Sequence, residues 1–224
     1  AVVSRGLGDV YKRQVMERPV EIKPQTLADW MKFIRFHPDL AERFMDCFWE
    51  SQLESKGHLL SALKNIGHLG NTYIFGGWYG ILAKLIEDSD NLSHSALVSI
   101  DIDPICDWVI SNTYSKPTSI APFTADMGSF NYSNAHAPDT VINTATEHVT
   151  QDTYDAWWDK IPEGTLYVLQ GNNFWDDPEH IRCAHNIEEF KRINHCKDTL
   201  TEFSFPCGGP NNSEFSRFMI LGYK

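Results

Sequence analysis

The chain has 224 residues, of which 42% are hydrophobic, 12% aromatic and 22% charged, and its formal net charge at pH 7 is −11. This length suits one α/β domain with a lead-in segment and would be crowded by two large domains. No apolar run approaches the roughly twenty residues that a membrane helix needs, so we expect no membrane-spanning segment. The acidic charge and the scattered basic residues disfavour nucleic acid as a partner.

The first fourteen residues differ in kind from the rest of the sequence. Residues 4–14 (SRGLGDVYKRQ) resemble the in-frame translation of a transposase-type sequencing-library adapter. We therefore interpret residues 1–14 as an adapter-derived segment in a metagenomic sequence, and expect the native protein to begin at Met16 or to be truncated there. Without the segment's net charge of +2, the formal charge becomes −13. The alternative is a genuine basic, glycine-containing N-terminal arm.

Histidines and cysteines cluster in one stretch of the sequence: His180, Cys183, His185, His195 and Cys196. Their spacing, HxxCxH followed by HC, matches no structural zinc signature, so we predict no metal site. The five cysteines of the chain include no CxxC pair. Their odd number and wide spread favour a reduced, cytoplasmic setting.

Apolar residues from position 26 to about position 66 fall at helical intervals, which predicts two or three amphipathic helices. His37-Pro38-Asp39 separates the first helix from the second, and residues 51–57 are expected to loosen the second from the third. We therefore divide the chain into a helical lead-in at residues 15–66 and a larger domain at residues 67–224.

After residue 70 the pattern changes to short apolar runs separated by helical stretches, which is typical of a parallel sheet with helices on its faces. Strands are predicted at residues 72–75, 96–100, 118–123, 139–143 and 165–170, and helices at residues 78–87, 104–112 and 187–193. Two closing strands, at residues 199–205 and 217–223, are joined by a segment rich in Gly, Pro and Asn that is too short for a crossover helix. We expect them to form an antiparallel hairpin.

The loop IFGGWYG, between the first strand and its helix, contains Gly76, Gly77 and Gly80. Glycines let the backbone approach a ligand closely and aim free N–H groups at it, although they can also simply permit tight strand–helix packing. Asp101 ends the second strand roughly twenty residues later, where a carboxylate can accept both hydroxyls of a ribose. The neighbouring Asp103 is explained as a helix N-cap. Loop and acid together predict a nucleoside site.

The order of these elements resembles that of class I S-adenosylmethionine-dependent methyltransferases, from about residue 66 to the end of the chain. The resemblance implies a three-layer, Rossmann-like α/β sheet, mostly parallel and closed by an antiparallel hairpin. It assigns the methionine part of S-adenosylmethionine to the glycine loop, the ribose to Asp101 and the adenine amine to Asp126. The family's acid before the glycines is replaced by Ile74 and its middle glycine by Trp78. We expect the side-chain carbonyl of Asn143 to replace the missing carboxylate.

The segment DTVINTATEHV resembles the exit of the fourth strand and the Glu-His signature of small-molecule methyltransferases. Glu147 and His148 are therefore candidate catalytic residues for an acceptor that must lose a proton. In the alternative, Glu147 orients the chain near the cofactor and His148 packs on the sheet. Four residues that leave the fifth strand, where open α/β sheets bind ligands, are candidates for acceptor binding: Gln170, Asn172, Asn173 and Trp175.

The sequence thus predicts an S-adenosylmethionine-dependent methyltransferase that acts on a small molecule or another non-nucleic-acid acceptor. The Asn/Asp-Pro-Pro-aromatic motif of amino-directed DNA methyltransferases is missing after the fourth strand, which disfavours DNA. Ile74 and Trp78 leave open a catalytically inactive module that only binds the cofactor. An NAD-dependent oxidoreductase shares the glycine loop and the ribose acid, but its glycines would follow GxGxxG and its sheet would not end in a hairpin.

Overall fold

The computed structural model describes residues 20–132, 136–208 and 214–224. The interpretation of residues 1–14 as adapter-derived concerns a segment that lies outside the described residues. The described N-terminal part is helical, as predicted. Its helices are α1 (Pro24–Phe36), α2 (Ala41–Met45) and α3 (Glu50–Lys64), with a 3-10 turn at Asp46–Phe48 between the last two.

The break after α1 is confirmed, whereas the predicted break at residues 51–57 is wrong because α3 runs through it. Two of the polar residues of this stretch, Ser51 and Ser55, are buried. The Ser55 hydroxyl donates to Oε1 of Gln170 at 2.8 Å, while Nε2 of Gln170 donates to the Ser55 carbonyl at 3.0 Å. Because the Ser55 hydroxyl has a partner in Gln170, it can be buried within the helix, and α3 continues through this stretch.

Seven described strands form one sheet in the order β3-β2-β1-β4-β5-β7-β6. The first five are parallel, and β7 pairs antiparallel with both β5 and β6. This confirms the predicted mostly parallel sheet with its C-terminal hairpin. The strands are β1 (Asn71–Phe75), β2 (Ala96–Asp101), β3 (Ile120–Thr124), β4 (Thr140–Asn143), β5 (Leu166–Asn172), β6 (Asp198–Gly208) and β7 (Glu214–Tyr223).

Helices cover both faces of the sheet, which gives the predicted three layers. Alternate residues of β1 point to opposite faces, as the period of a strand requires. Ile74 packs into a core with α1 and α3, and Tyr73 and Phe75 pack into a second core with Trp157 and Phe190. The remaining helices are α4 (Ile81–Asp88), α5 (Pro104–Thr113), α6 (Gln151–Trp158) and α7 (Ile187–Ile193).

Among the helices of the described residues, each is too short or too polar to cross a membrane. All five cysteines lie in the described part of the chain, and each carries a free thiol.

Candidate active site

The glycine loop spans residues 76–80, between the end of β1 and the start of α4. Helix α4 begins three residues later than predicted because Trp78 and Gly80 have φ angles of 45° and 71°, which no right-handed helix can contain. Gly76 has a φ of 63°, and a Cβ atom there would overlap the side chain of Ala145. Glycine at position 76 therefore keeps the backbone open at the edge of the sheet.

Asp101 lies at the carboxyl end of β2, directly beside this loop. Its Oδ2 accepts a hydrogen bond from the Trp78 N–H at 2.9 Å, and its Oδ1 accepts one from the Asp103 N–H at 3.1 Å. Each oxygen keeps a lone pair for a further donor. The predicted ribose acid thus also fixes the glycine loop.

Asp103 acts as the N-cap of α5, as predicted, because its Oδ1 accepts from the Ile105 N–H at 3.0 Å. Its Oδ2 lies 2.6 Å from the guanidinium of Arg43, which comes from α2. Although burial opposes ionisation, the Ile105 N–H and Arg43 lower the pKa of Asp103. The N-terminal helices therefore contribute a cation to the edge of the predicted nucleoside site.

A cavity of about 570 Å³ opens at the carboxyl ends of β1 and β2. This volume is within the range of small-molecule sites. Asp126 lies at its far side, where its Oδ1 also accepts from the Gly128 N–H at 2.9 Å. We call this space the large cavity. Its lining includes Gly76, Asp101, Asp126, Met127, His148 and Val149.

Three residues predicted to bind the cofactor lie outside the large cavity. Gly80 caps α4 and faces Ile110, and Gly77 lines a neighbouring, smaller cavity. Asn143 is fully buried, and its Oδ1 accepts from the Ala145 N–H at 3.0 Å. The carbonyl of Asn143 is thus used within the β4 exit, and Asn143 lines neither cavity.

Glu147 and His148 lie in a 3-10 turn (Thr146–His148) that follows β4. Glu147 is 3% exposed, and its Oε1 accepts from Nδ2 of Asn172 at 2.5 Å. Its Oε2 is buried without a hydrogen-bond partner among the described residues. His148 is exposed. The predicted catalytic pair therefore consists of a fixed carboxylate and an accessible imidazole.

His180, which was not predicted as an active-site residue, completes this group. The N–H groups of Ile181 and Arg182 both donate to the Glu147 carbonyl, at 2.9 and 3.0 Å, and so hold the loop after β5 against the 3-10 turn. The His180 and His148 rings lie 4.8 Å apart. One potential ligand atom from each of Glu147, His148 and His180 lies within 4.8 Å of the other two.

The smaller cavity, of about 110 Å³, lies beside this triple. Two cations line it, Lys56 from α3 and Arg217 from β7. Burial lowers the pKa of Lys56 to about 8. Arg217 is 8% exposed, and its Nε has no partner among the described residues. Nζ of Lys56 donates to Oε1 of Gln52 at 3.0 Å. Neither cation forms a salt bridge with a described residue, so no carboxylate neutralises either charge at close range.

The two cavities share one wall. Gly76, Trp78, Ala145 and His148 line both of them. The indole Nε1 of Trp78 is buried there without a hydrogen-bond partner among the described residues. Ligands in the two cavities would therefore come close to each other at this wall.

Of the four predicted acceptor-binding residues, none lines either cavity. Gln170 bonds to α3, and Asn172 holds Glu147 while its Oδ1 accepts from the Phe174 N–H at 2.9 Å. Oδ1 of Asn173 accepts from the Ser216 N–H at 2.6 Å. These amides satisfy buried or half-buried groups of the fold, which is their commoner use.

Trp175, the fourth of these residues, is 47% exposed, and its ring lies 5.3 Å from that of His185. Of the histidines and cysteines that cluster in the sequence, His180 and Cys183 both contact the Phe174 carbonyl, at 2.7 and 3.5 Å. Nε2 of His195 lies 2.7 Å from a carboxylate oxygen of Asp155, whereas His180 lies beside Glu147.

The sheet order, with β7 inserted antiparallel between β5 and β6, defines a class I methyltransferase fold. Comparison with solved structures confirms this fold. No protein-family model matches the sequence, and no curated protein matches it.

Among the similar solved structures is N-methyltransferase NodS from Bradyrhizobium japonicum WM9 in complex with S-adenosyl-L-homocysteine, at a TM-score of 0.62 and 14% identity over 87% of this chain and 98% of NodS. TehB from Haemophilus influenzae has a TM-score of 0.59 and 13% identity over 75% of this chain and 62% of TehB. Small RNA methyltransferase HEN1 has a TM-score of 0.55 and 16% identity over 79% of this chain and 26% of HEN1. These similarities concern the fold.

Proposed function

We propose that the protein is an S-adenosylmethionine-dependent methyltransferase that acts on a small-molecule acceptor. The observation that carries the proposal is the shared wall, where a cavity lined by Asp101 and Asp126 meets a smaller, cationic cavity beside Glu147 and His148. The presence of S-adenosyl-L-homocysteine in the NodS structure, which has the same fold, supports the choice of cofactor.

The residues of the large cavity fit this cofactor. Asp101 offers free lone pairs for ribose hydroxyls, and Asp126 is available for an adenine amine. The unpartnered Nε1 of Trp78 provides a further donor at the wall. Ile74 stands where the resemblance to the family implies a carboxylate for the ammonium group of the cofactor. We therefore expect weaker binding of the cofactor than a complete motif would give.

S-adenosylmethionine, when bound, supplies a methyl group on an already activated sulfonium. The chain then has to orient the acceptor and exclude water, and orientation alone lowers such a barrier substantially. The shared wall performs the first task by holding the two ligands side by side. For an acceptor that loses a proton, we assign the proton to a ring nitrogen of His148, the ionisable side chain that lines both cavities.

The smaller cavity favours an acceptor with an anionic group. Lys56 and Arg217 line it without carboxylate partners, although the chain as a whole carries a charge of −11. Removing a cation from water without placing an opposite charge beside it is costly, and a ligand anion would offset that cost. The small volume, about 110 Å³, favours a small molecule over a polymer.

Incubation with methyl-labelled S-adenosylmethionine and the small-molecule fraction of a cell extract tests the proposal. We expect a labelled product with the wild-type protein. His148→Ala should bind S-adenosyl-L-homocysteine normally but turn over at least about a hundredfold more slowly, the usual contribution of a positioned base. Asp101→Ala should lose cofactor binding. Cofactor binding without label transfer to any fraction would instead indicate an inactive binding module.

A further inference from the structure

The triple formed by Glu147, His148 and His180 has a feature that proton transfer alone does not explain. Glu147 is 3% exposed, and its Oε2 has no donor among the described residues. A buried carboxylate oxygen without a hydrogen-bond donor is costly, because it has lost its water. The charge of Arg182 acts on Glu147, but the Arg182 guanidinium donates its hydrogen bonds to other groups. Two imidazoles stand next to Glu147, with one ligand atom of each within 4.8 Å of a Glu147 oxygen.

We propose that Glu147, His148 and His180 bind a divalent first-row transition-metal ion. One carboxylate and two imidazoles form a facial set of three ligands that leaves further coordination positions open. Imidazole ligands favour ions such as Zn²⁺, Fe²⁺ or Co²⁺ over Mg²⁺ and Ca²⁺, which prefer oxygen. The ion would bind directly to the Glu147 oxygen that has no hydrogen-bond donor among the described residues.

The groups around the triple are those that support metal ligands. The Nδ1–H of His180 donates to the Phe174 carbonyl at 2.7 Å, which leaves the lone pair on Nε2. Oδ2 of Asp177 lies 3.9 Å from this Nε2, too far for a hydrogen bond. Asn172 holds Oε1 of Glu147 at 2.5 Å and so orients Oε2. Two backbone N–H groups of the His180 loop bond to the Glu147 carbonyl, which fixes two of the three ligands relative to each other.

The distances require only a small adjustment. Metal–nitrogen and metal–oxygen bonds of about 2.0–2.2 Å place the ligand atoms of one ion about 3–4 Å apart. The triple spans up to 4.8 Å. His148 is the exposed member, so its side chain has room to rotate towards the other two ligands.

The role that we assign to the ion, activation of the acceptor, rests on the proposed function. The triple borders the smaller cavity, so the open positions of the ion would face the acceptor. A bound ion lowers the pKa of a coordinated hydroxyl. His148 would then be a ligand, and activation of the acceptor would pass from His148 to the ion. An anionic acceptor would also balance the charge of the ion, Lys56 and Arg217.

Metal binding can be measured without cofactor or acceptor. The full chain is freed of metal with a chelator and titrated calorimetrically with Zn²⁺, and separately with Mg²⁺. We expect one Zn²⁺ per chain and much weaker Mg²⁺ binding. Co²⁺ should give visible absorption bands that report nitrogen and oxygen ligands. Absence of stoichiometric Zn²⁺ binding would overturn the proposal.

Variants assign the ligands. Glu147→Gln and His180→Asn should each weaken Zn²⁺ binding by more than about tenfold. His148→Ala changes an exposed side chain, so it should fold normally by circular dichroism and still lose at least as much affinity. The matched control is His185→Asn, in the same loop but outside the triple, which should bind Zn²⁺ like the wild type. Wild-type affinity in the folded His148→Ala variant would contradict the site.

The same protein is titrated with S-adenosyl-L-homocysteine, so that the two proposals can fail separately. Zn²⁺ binding without binding of this compound would support the ion site and contradict methyl transfer. Cofactor binding without Zn²⁺ binding would contradict the ion site and leave methyl transfer with His148 as its base.

Discussion

Trp78 occupies a backbone conformation that ordinarily belongs to glycine. Its φ of 45° costs a residue with a Cβ about 1–2 kcal/mol. Trp78 forms part of the shared wall and lines both cavities. We infer that a tryptophan occupies this strained position because its side chain shapes the wall.

Two variants that both delete the indole isolate this strain. Trp78→Gly should have a higher free energy of unfolding than Trp78→Ala, by about 0.5–1 kcal/mol after the greater freedom of glycine in the unfolded chain is subtracted. Chemical denaturation of the two variants measures the difference. Equal stability, or a more stable alanine variant, would mean that residue 78 is not held at positive φ.

We expect Lys56 to lower the stability of the fold and to contribute to binding of the acceptor. Burial lowers its pKa from 10.5 to about 8, so the folded protein binds fewer protons than the unfolded chain between these values and stability rises with pH across that window. Lys56→Met should therefore unfold at a higher free energy than the wild type near neutral pH. We expect this advantage to shrink between pH 8 and 10.5, as measured by denaturation at several pH values.

Lys64→Met, an exposed change in the same helix, is the control and should show no such pH dependence. If Lys56→Met kept full methyl transfer, Lys56 would have no role toward the acceptor.

The residues of the site differ in how far they could be predicted. Asp101, Glu147 and His148 lie at or just after strand ends, so their position in the fold could be predicted from local sequence. His180 reaches the site through backbone hydrogen bonds between segments more than thirty residues apart, and Lys56 and Arg217 come from opposite ends of the chain. The amides of Gln170 and Asn172 were misplaced because their partners are long-range contacts that no local pattern reveals.

At the scale of the elements, Glu87 connects the end of α4 to the segment that enters β3. It accepts hydrogen bonds from Lys84, Thr118 and Ser119. Although burial opposes the charge, these donors lower the pKa of Glu87 from 4.5 to about 2. Glu87 therefore stabilises the fold above its unfolded pKa, and this contribution is lost as pH falls towards about 2.

Glu87→Gln should lower the free energy of unfolding near neutral pH, and the deficit relative to the wild type should narrow as the solution is acidified from pH 4.5 towards pH 2. Denaturation curves of both proteins across this range measure the effect. Glu163→Gln, which changes an exposed carboxylate, serves as the control. A deficit that stays constant with pH would contradict the role given to the Glu87 charge.

The strands were more predictable than the ends of the helices. A buried parallel strand is a short continuous apolar run, such as ALVSI in β2, and this signal is local. The start of α4 could not be placed, because it depends on two positive φ angles, one of them at a tryptophan. The continuity of α3 depends on the Ser55–Gln170 contact, which joins residues 115 positions apart.

On the scale of the whole molecule, the fold alone does not identify the acceptor, since HEN1, a small RNA methyltransferase, shares it. Charge provides a separate argument. A chain with a net charge of −11 releases few counterions from a phosphate backbone. We expect no retention of duplex RNA or DNA in filter binding at physiological salt, and retention at micromolar protein would contradict a small-molecule acceptor.

The proposed methyl transfer depends on the large cavity at the carboxyl ends of β1 and β2, where Asp101 is fixed beside the glycine loop. Calorimetric titration with S-adenosyl-L-homocysteine tests it most directly. We predict saturable binding of one molecule per chain, lost in Asp101→Ala and not reproduced by NADH. Absence of heat at millimolar ligand, or binding of NADH in its place, would contradict the assignment of this cavity.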